Sequence, residues 1–121
     1  MNSTLGYVLL AAGKGTRMHS DSPKVLQSVL GKPLLGYVFD ALGHVPPSLV
    51  WTVIGFGAPE VRAAFSARDL QFVLQEEQLG TGHAVSLAWP EVLASGLTHV
   101  CVLNGDTPYV PVQEVEALAR L

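Results

Sequence analysis

The residues with the clearest chemical purpose stand near the N-terminus. They are Leu10-Ala-Ala-Gly-Lys-Gly-Thr-Arg-Met18, followed by Pro23-Lys24. Gly13 and Gly15 carry no Cβ, so the backbone there can turn sharply and come close to a ligand. Lys14, Arg17 and Lys24 bring three cations into the same short stretch. Backbone N–H groups aimed at phosphate oxygens, with cations to neutralise the rest, suit a nucleoside triphosphate. Two familiar glycine motifs do not apply. A dinucleotide fingerprint needs a third glycine where Met18 stands, and the phosphate loop ending in Gly-Lys-Ser/Thr is absent.

Such a loop needs a scaffold, and the hydrophobic pattern supplies one. Gly6 to Leu10 reads as a buried strand feeding directly into the loop. Pro33 to Leu42 has helical spacing, with Pro33 suited to the first helical position and Gly43 to the stop. Leu49 to Ile54 reads as a second strand ended by Gly55-Phe-Gly57, and Pro59 to Phe65 as a short helix. Leu70 to Leu74 alternates like a strand with one better-covered face. Gly80-Thr81-Gly82 opens a helix through Ala88, with Pro90 just after it. Thr98 to Leu103 is a fourth, almost wholly apolar strand, ending at Asn104-Gly105-Asp106. Val112 to Arg120 keeps helical spacing again.

This alternation predicts an α/β fold: a Rossmann-like, open, mostly parallel sheet with helices on both faces. The first and fourth strands are the most uniformly apolar, so they are expected side by side at its centre. The loop and Asp106 would then meet in the crevice at the carboxyl ends of the strands, where the order reverses. Trp51 and Trp89 are core candidates.

Composition sets bounds. The 121 residues suit one domain, 49% are hydrophobic and 14% charged, and the net charge is −3. That balance argues against a nucleic-acid partner. No apolar run is long enough for a bilayer, so no membrane partner is expected. Of seven Lys and Arg residues, four (Lys14, Arg17, Lys24, Lys32) lie in the first 32 positions, opposed only by Asp21. A local basic loop on an acidic chain suggests a small anionic ligand. The single Cys101, in an apolar run, fits a structural thiol and a reducing cytoplasm.

Taken together, the loop motif, Gln75-Glu-Glu-Gln-Leu-Gly-Thr-Gly-His-Ala84 and Leu103-Asn-Gly-Asp-Thr-Pro108 resemble the nucleotidyltransferases that activate sugar 1-phosphates. The likeness is strongest to the bacterial N-acetylglucosamine-1-phosphate uridylyltransferases. It runs through all 121 residues and covers about the first half of that family's nucleotidyltransferase domain. The resemblance implies a nucleotide-diphospho-sugar transferase fold, truncated here, and transfer of UMP from UTP to N-acetylglucosamine 1-phosphate. It implies that Leu10, Ala11, Ala12 and Gly13 line the uridine, and that Arg17 and Lys24 contact phosphates. Gln75 would read uracil, Gly80 and Thr81 would sit against base and ribose, and Asn104 and Gly105 would border the nucleoside. Asp106 would hold Mg²⁺. In the complete protein a trimer-forming acetyltransferase domain would follow.

Each assignment has a physical sense and a plainer rival. Lys24 follows a proline, so its ammonium can reach phosphates, although most lysines are solvated surface groups. Asp106 ends a strand where a carboxylate packs poorly, and a hard cation accepts such an oxygen; it could instead cap a turn. Gln75 offers both donor and acceptor to uracil, or is polar surface. Thr81 is placed to cap the helix it begins. His83 reads as structural, and His19, His44 and His99 have no metal-ligand spacing. A glucose-1-phosphate uridylyl- or thymidylyltransferase, or a nucleotide-binding module without turnover, remains open from these residues.

Overall fold

The computed structural model describes residues 4–13, 23–77, 79–107 and 111–120. Lys14, Gly15, Arg17, Met18, His19 and Asp21 lie outside them. The first strand, β1 (Leu5–Ala11), is followed by a single 3₁₀ turn at Lys24–Leu26 and a small antiparallel hairpin, β2 (Ser28–Val29) and β3 (Lys32–Pro33). Helix α1 (Leu34–Ala41) leads through a second 3₁₀ turn to β4 (Val50–Ile54), then α2 (Ala58–Ala64), β5 (Gln71–Leu74), α3 (Thr81–Ala94), β6 (His99–Asn104) and α4 (Val112–Ala119).

β5, β4, β1 and β6 form one parallel sheet in that order. Strand side chains alternate between faces, and both faces are covered. Tyr7, Leu9, Ala11, Val50 and Ile54 pack with Leu35, Val38 and Phe39 of α1, Val61 of α2 and, at the margin, Val112 and Val115 of α4. Val8, Ala12, Trp51 and Val53 pack with Ala84, Ala88 and Val92 of α3. The α/β class, the parallel sheet and the two helical layers therefore stand as expected. No helix among the described residues is long and apolar enough to cross a membrane.

The structure corrects several local expectations. β1 and β6 are neighbours, and among the described residues β1 lies inside the sheet while β6 is its outermost strand, with Val102 41% exposed. β5 has no better-covered face: Leu70 and Phe72 meet one core layer, Val73 the other, and Leu74 is exposed. Pro33 does not begin α1 but precedes it, paired with Ser28 in the hairpin. Pro90 lies inside α3 instead of ending it. It is solvent-exposed, while Ala84, Ala88 and Val92 keep the inner face of the helix packed. Trp51 is buried, whereas Trp89 is 41% exposed and outside the core.

Candidate nucleotide-binding site

The order β5-β4-β1-β6 reverses direction between β1 and β6, and a cleft opens at the carboxyl ends of these strands. It has a volume of about 320 Å³. Its floor is the end of β1 and the residues that follow, Leu10, Ala11, Ala12 and Gly13. Lys24 and Val25 close one side, and Asn104 and Asp106 come from the end of β6. Gln75, just past β5, and Gly80, Thr81 and Ala84 at the start of α3 complete the wall.

Lys24 is held by its neighbours. Pro23 is fully buried and Val25 is 4% exposed, so both flanking residues are anchored in the core. Gly57, at φ +69° before α2, makes room for the Pro23 ring: a Cβ there would lie 2.2 Å from Pro23 Cγ. The tight 3₁₀ turn, with Gln27 N–H donating to the Lys24 carbonyl at 3.0 Å, then aims the lysine side chain outward. Its Nζ lies 3.0 Å from Asp106 Oδ2, with both side chains partly exposed. Lys24 and Asp106, 82 positions apart in sequence, thus converge on one side of the cleft.

Gly105 is buried and does not line the cleft. Its N–H donates to the Leu10 carbonyl at 2.9 Å, and a Cβ would crowd Leu35 and Ala11 at 3.1 and 3.2 Å. It therefore fastens the end of β6 beside β1, which places Asp106. Gly13 shows the opposite case: a Cβ would meet nothing within 4 Å, and the residue lines open cleft. Gly80 likewise has space around it, but its φ of +97° favours glycine. Thr81 is the first residue of α3 and makes no side-chain cap; Gly80 holds the cap position. The positive end of a 14-residue helix consequently borders the cleft.

Gln75 is 3% exposed, not polar surface. Its N–H donates to Ile54 O at 2.7 Å, extending the strand pairing. Its side-chain Nε2 meets Gly80 O at 3.3 Å and His83 Nδ1 at 3.0 Å. Sequence reasoning did not find this link, because two residues eight apart in a loop and a helix show no periodic relation.

Among the described residues no group of three or more His, Cys, Asp or Glu could hold a metal ion. Asp106 is one partly exposed carboxylate already facing a cation, Lys24. That donor set fits Mg²⁺, which is commonly bound by one or two carboxylates together with substrate phosphates and water.

Comparison with known proteins agrees with the fold. A family model, the MobA-like NTP transferase domain, matches residues 7–121. The chain is 61% identical to a bifunctional protein GlmU of Oleidesulfovibrio alaskensis over 107 residues, 88% of this chain and 23% of that protein. It is 57% identical to a bifunctional protein GlmU of Nitratidesulfovibrio vulgaris over 120 residues, 99% of this chain and 26% of that protein. The chain thus spans about a quarter of the length of these curated relatives. The crystal structure of Rv0371c from Mycobacterium tuberculosis superposes with a TM-score of 0.80 at 24% identity, covering 98% of this chain and 60% of that one. A manganese complex of the same protein matches at 0.71 and 23% identity, covering 98% of this chain and 59% of that one.

Proposed function

Because the chain belongs to the MobA-like NTP transferase domain family, we propose that it forms the N-terminal, nucleotide-binding part of a single sugar-1-phosphate nucleotidyltransferase domain. The reaction is UTP plus N-acetylglucosamine 1-phosphate giving UDP-N-acetylglucosamine and pyrophosphate, a cytoplasmic step in cell-wall precursor synthesis. The high identity to GlmU proteins supports the choice of substrates. On the same basis the sugar pocket, any second metal ligand and a trimer-forming acetyltransferase domain belong to sequence beyond this chain.

The observation that carries the proposal is the 3.0 Å approach of Lys24 to Asp106 on one side of the cleft. The nucleophile is a phosphate monoester with its second pKa near ~6, so it is already mostly a dianion and needs no general base. An oxygen of the sugar phosphate attacks the α-phosphorus of UTP, and the bond from that phosphorus to the pyrophosphate oxygen breaks. The obstacle is charge: two anions must meet, and a third leaves. Positioning and electrostatics supply the catalysis.

Leu10 to Gly13 would line the nucleoside, with Gly80, Thr81 and Asn104 bordering base and ribose. Gln75 would pair with uracil. Lys24 would neutralise phosphate charge, together with Arg17, a role the sequence suggests for a residue outside the described ones. Asp106 would hold Mg²⁺ against the phosphates. When bound, that cation would offset the negative charge of the triphosphate and of the leaving pyrophosphate. Lys24 and Asp106, paired to each other, would exchange partners as the ligand enters, the ammonium for phosphate oxygens and the carboxylate for the cation.

The test is pyrophosphate release from UTP by a polypeptide that carries this chain with the remainder of its domain. Release that depends on N-acetylglucosamine 1-phosphate in preference to glucose 1-phosphate is expected. UTP binding without release under any sugar phosphate would replace the proposal with a non-catalytic nucleotide module.

A further inference from the structure

His83 does not line the cleft. Its ring nevertheless touches the one deeply buried polar side chain that does. Gly80 O can only accept a hydrogen bond, so the Gln75 atom facing it is the amide nitrogen. The same Nε2 lies 3.0 Å from His83 Nδ1. Its second hydrogen therefore donates to Nδ1, which must be unprotonated, and the neutral imidazole carries its proton on Nε2. Both hydrogens of the Gln75 amide are then engaged. Among the described residues Oε1 accepts no hydrogen bond, and it is the group left for a ligand.

We infer that His83 is a positioning residue that sets nucleobase preference by locking the Gln75 amide with its oxygen free. This rests on the uridine-nucleotide reading above. Uracil presents N3–H, a donor that Oε1 accepts. Cytosine presents a bare N3 lone pair at the same place, which Oε1 opposes. An unlocked amide could rotate by 180°, offer Nε2 to cytosine and lose the distinction. Gly80 O alone, at the longer 3.3 Å, restrains that rotation weakly.

The test compares UTP and CTP binding by calorimetry to a polypeptide that carries this chain with the remainder of its domain, in wild type, His83→Ala and His83→Asn. Wild type should favour UTP. His83→Ala should lower the UTP-to-CTP affinity ratio by about threefold to tenfold, the effect of one lost hydrogen bond. His83→Asn, whose side-chain oxygen can stand in for Nδ1, should recover most of it. Equal loss in both variants, or an unchanged ratio in His83→Ala, overturns the role of His83 alone. Failure of wild type to bind UTP in preference to CTP overturns the uridine reading beneath it. Should His83→Ala not fold, ¹⁵N chemical shifts of the wild-type ring decide: the Nε2–H tautomer is expected, and the Nδ1–H tautomer refutes the lock.

Discussion

Replacing Gly57 by alanine tests how the fold places Lys24. Gly57 sits at φ +69°, and a Cβ there would stand 2.2 Å from Pro23 Cγ and 2.8 Å from Pro23 Cδ. A pyrrolidine ring is tied to its own backbone and cannot swing aside as the tip of a long side chain can. Left-handed backbone costs alanine about 1 kcal/mol relative to glycine. Overpacking against a buried ring adds about 1–3 kcal/mol. The expected loss is therefore about 2–4 kcal/mol, read as a lower urea midpoint at unchanged slope. Pro23 must move to admit the methyl, and it carries Lys24 with it, so UTP affinity should fall in the fraction that remains folded. Gly13→Ala is the internal comparison: its Cβ meets nothing within 4 Å, so stability should change by less than about 0.5 kcal/mol while the added methyl occupies cleft. Equal midpoints for Gly57→Ala and wild type would refute the claim that this glycine seats Pro23.

Four further outcomes are expected. In the complete domain, Lys24→Ala and Asp106→Ala should each cut turnover at least about a hundredfold, yet lower the unfolding free energy from urea titration by no more than about 1 kcal/mol, since the pair is partly exposed. Gln75→Ala should weaken UTP binding and relax discrimination against CTP in the same calorimetric assay. Tyr7 is buried, its hydroxyl has no hydrogen-bond partner among the described residues, and burial pushes its pKa up to about 12, helped by Glu116 and Cys101. A raised phenol favours the fold below pH ~10 and loses that contribution as pH rises from there toward 12; Tyr7→Phe should flatten this alkaline loss and leave neutral-pH stability unchanged or higher. Asp40 is held below the usual carboxylate value by hydrogen bonds from Lys32 first and Arg68 second, so its contribution is present above pH ~4 and fades as acid drives pH through the lowered value. Because these side chains are well exposed, Asp40→Asn should remove less than about 1 kcal/mol, and added salt should shrink the difference, as acid titration of the melting temperature will show.

What could be read in advance divides along physical lines. An apolar run such as Tyr7 to Leu10 reports burial directly, and a strand feeding a glycine-rich loop fixes which end of the sheet the loop occupies. The meeting of Lys24 and Asp106 followed from that topology. The hairpin of β2 and β3 escaped, because two-residue strands show no alternation. Leu30-Gly31, both at positive φ, was its only local mark. The apolar character of Val100 to Leu103 identified a strand but not its position, and among the described strands β6 is the outermost. Pro90 was read by its helix-breaking tendency, which the buried Ala84, Ala88 and Val92 outweigh. Contacts that decide side-chain aim, Pro23 on Gly57 and His83 on Gln75, join residues with no shared period, so only coordinates reveal them.

The convergence of a basic turn and one acidic strand end on a single triphosphate is tested most directly by titrating UTP, with and without Mg²⁺, into a polypeptide that carries this chain with the remainder of its domain, in wild type, Lys24→Ala and Asp106→Ala. Wild type should bind UTP and bind it more tightly with Mg²⁺; Asp106→Ala should lose the Mg²⁺ response, and Lys24→Ala should bind more weakly under both conditions. Affinities and Mg²⁺ responses identical in all three proteins would contradict it.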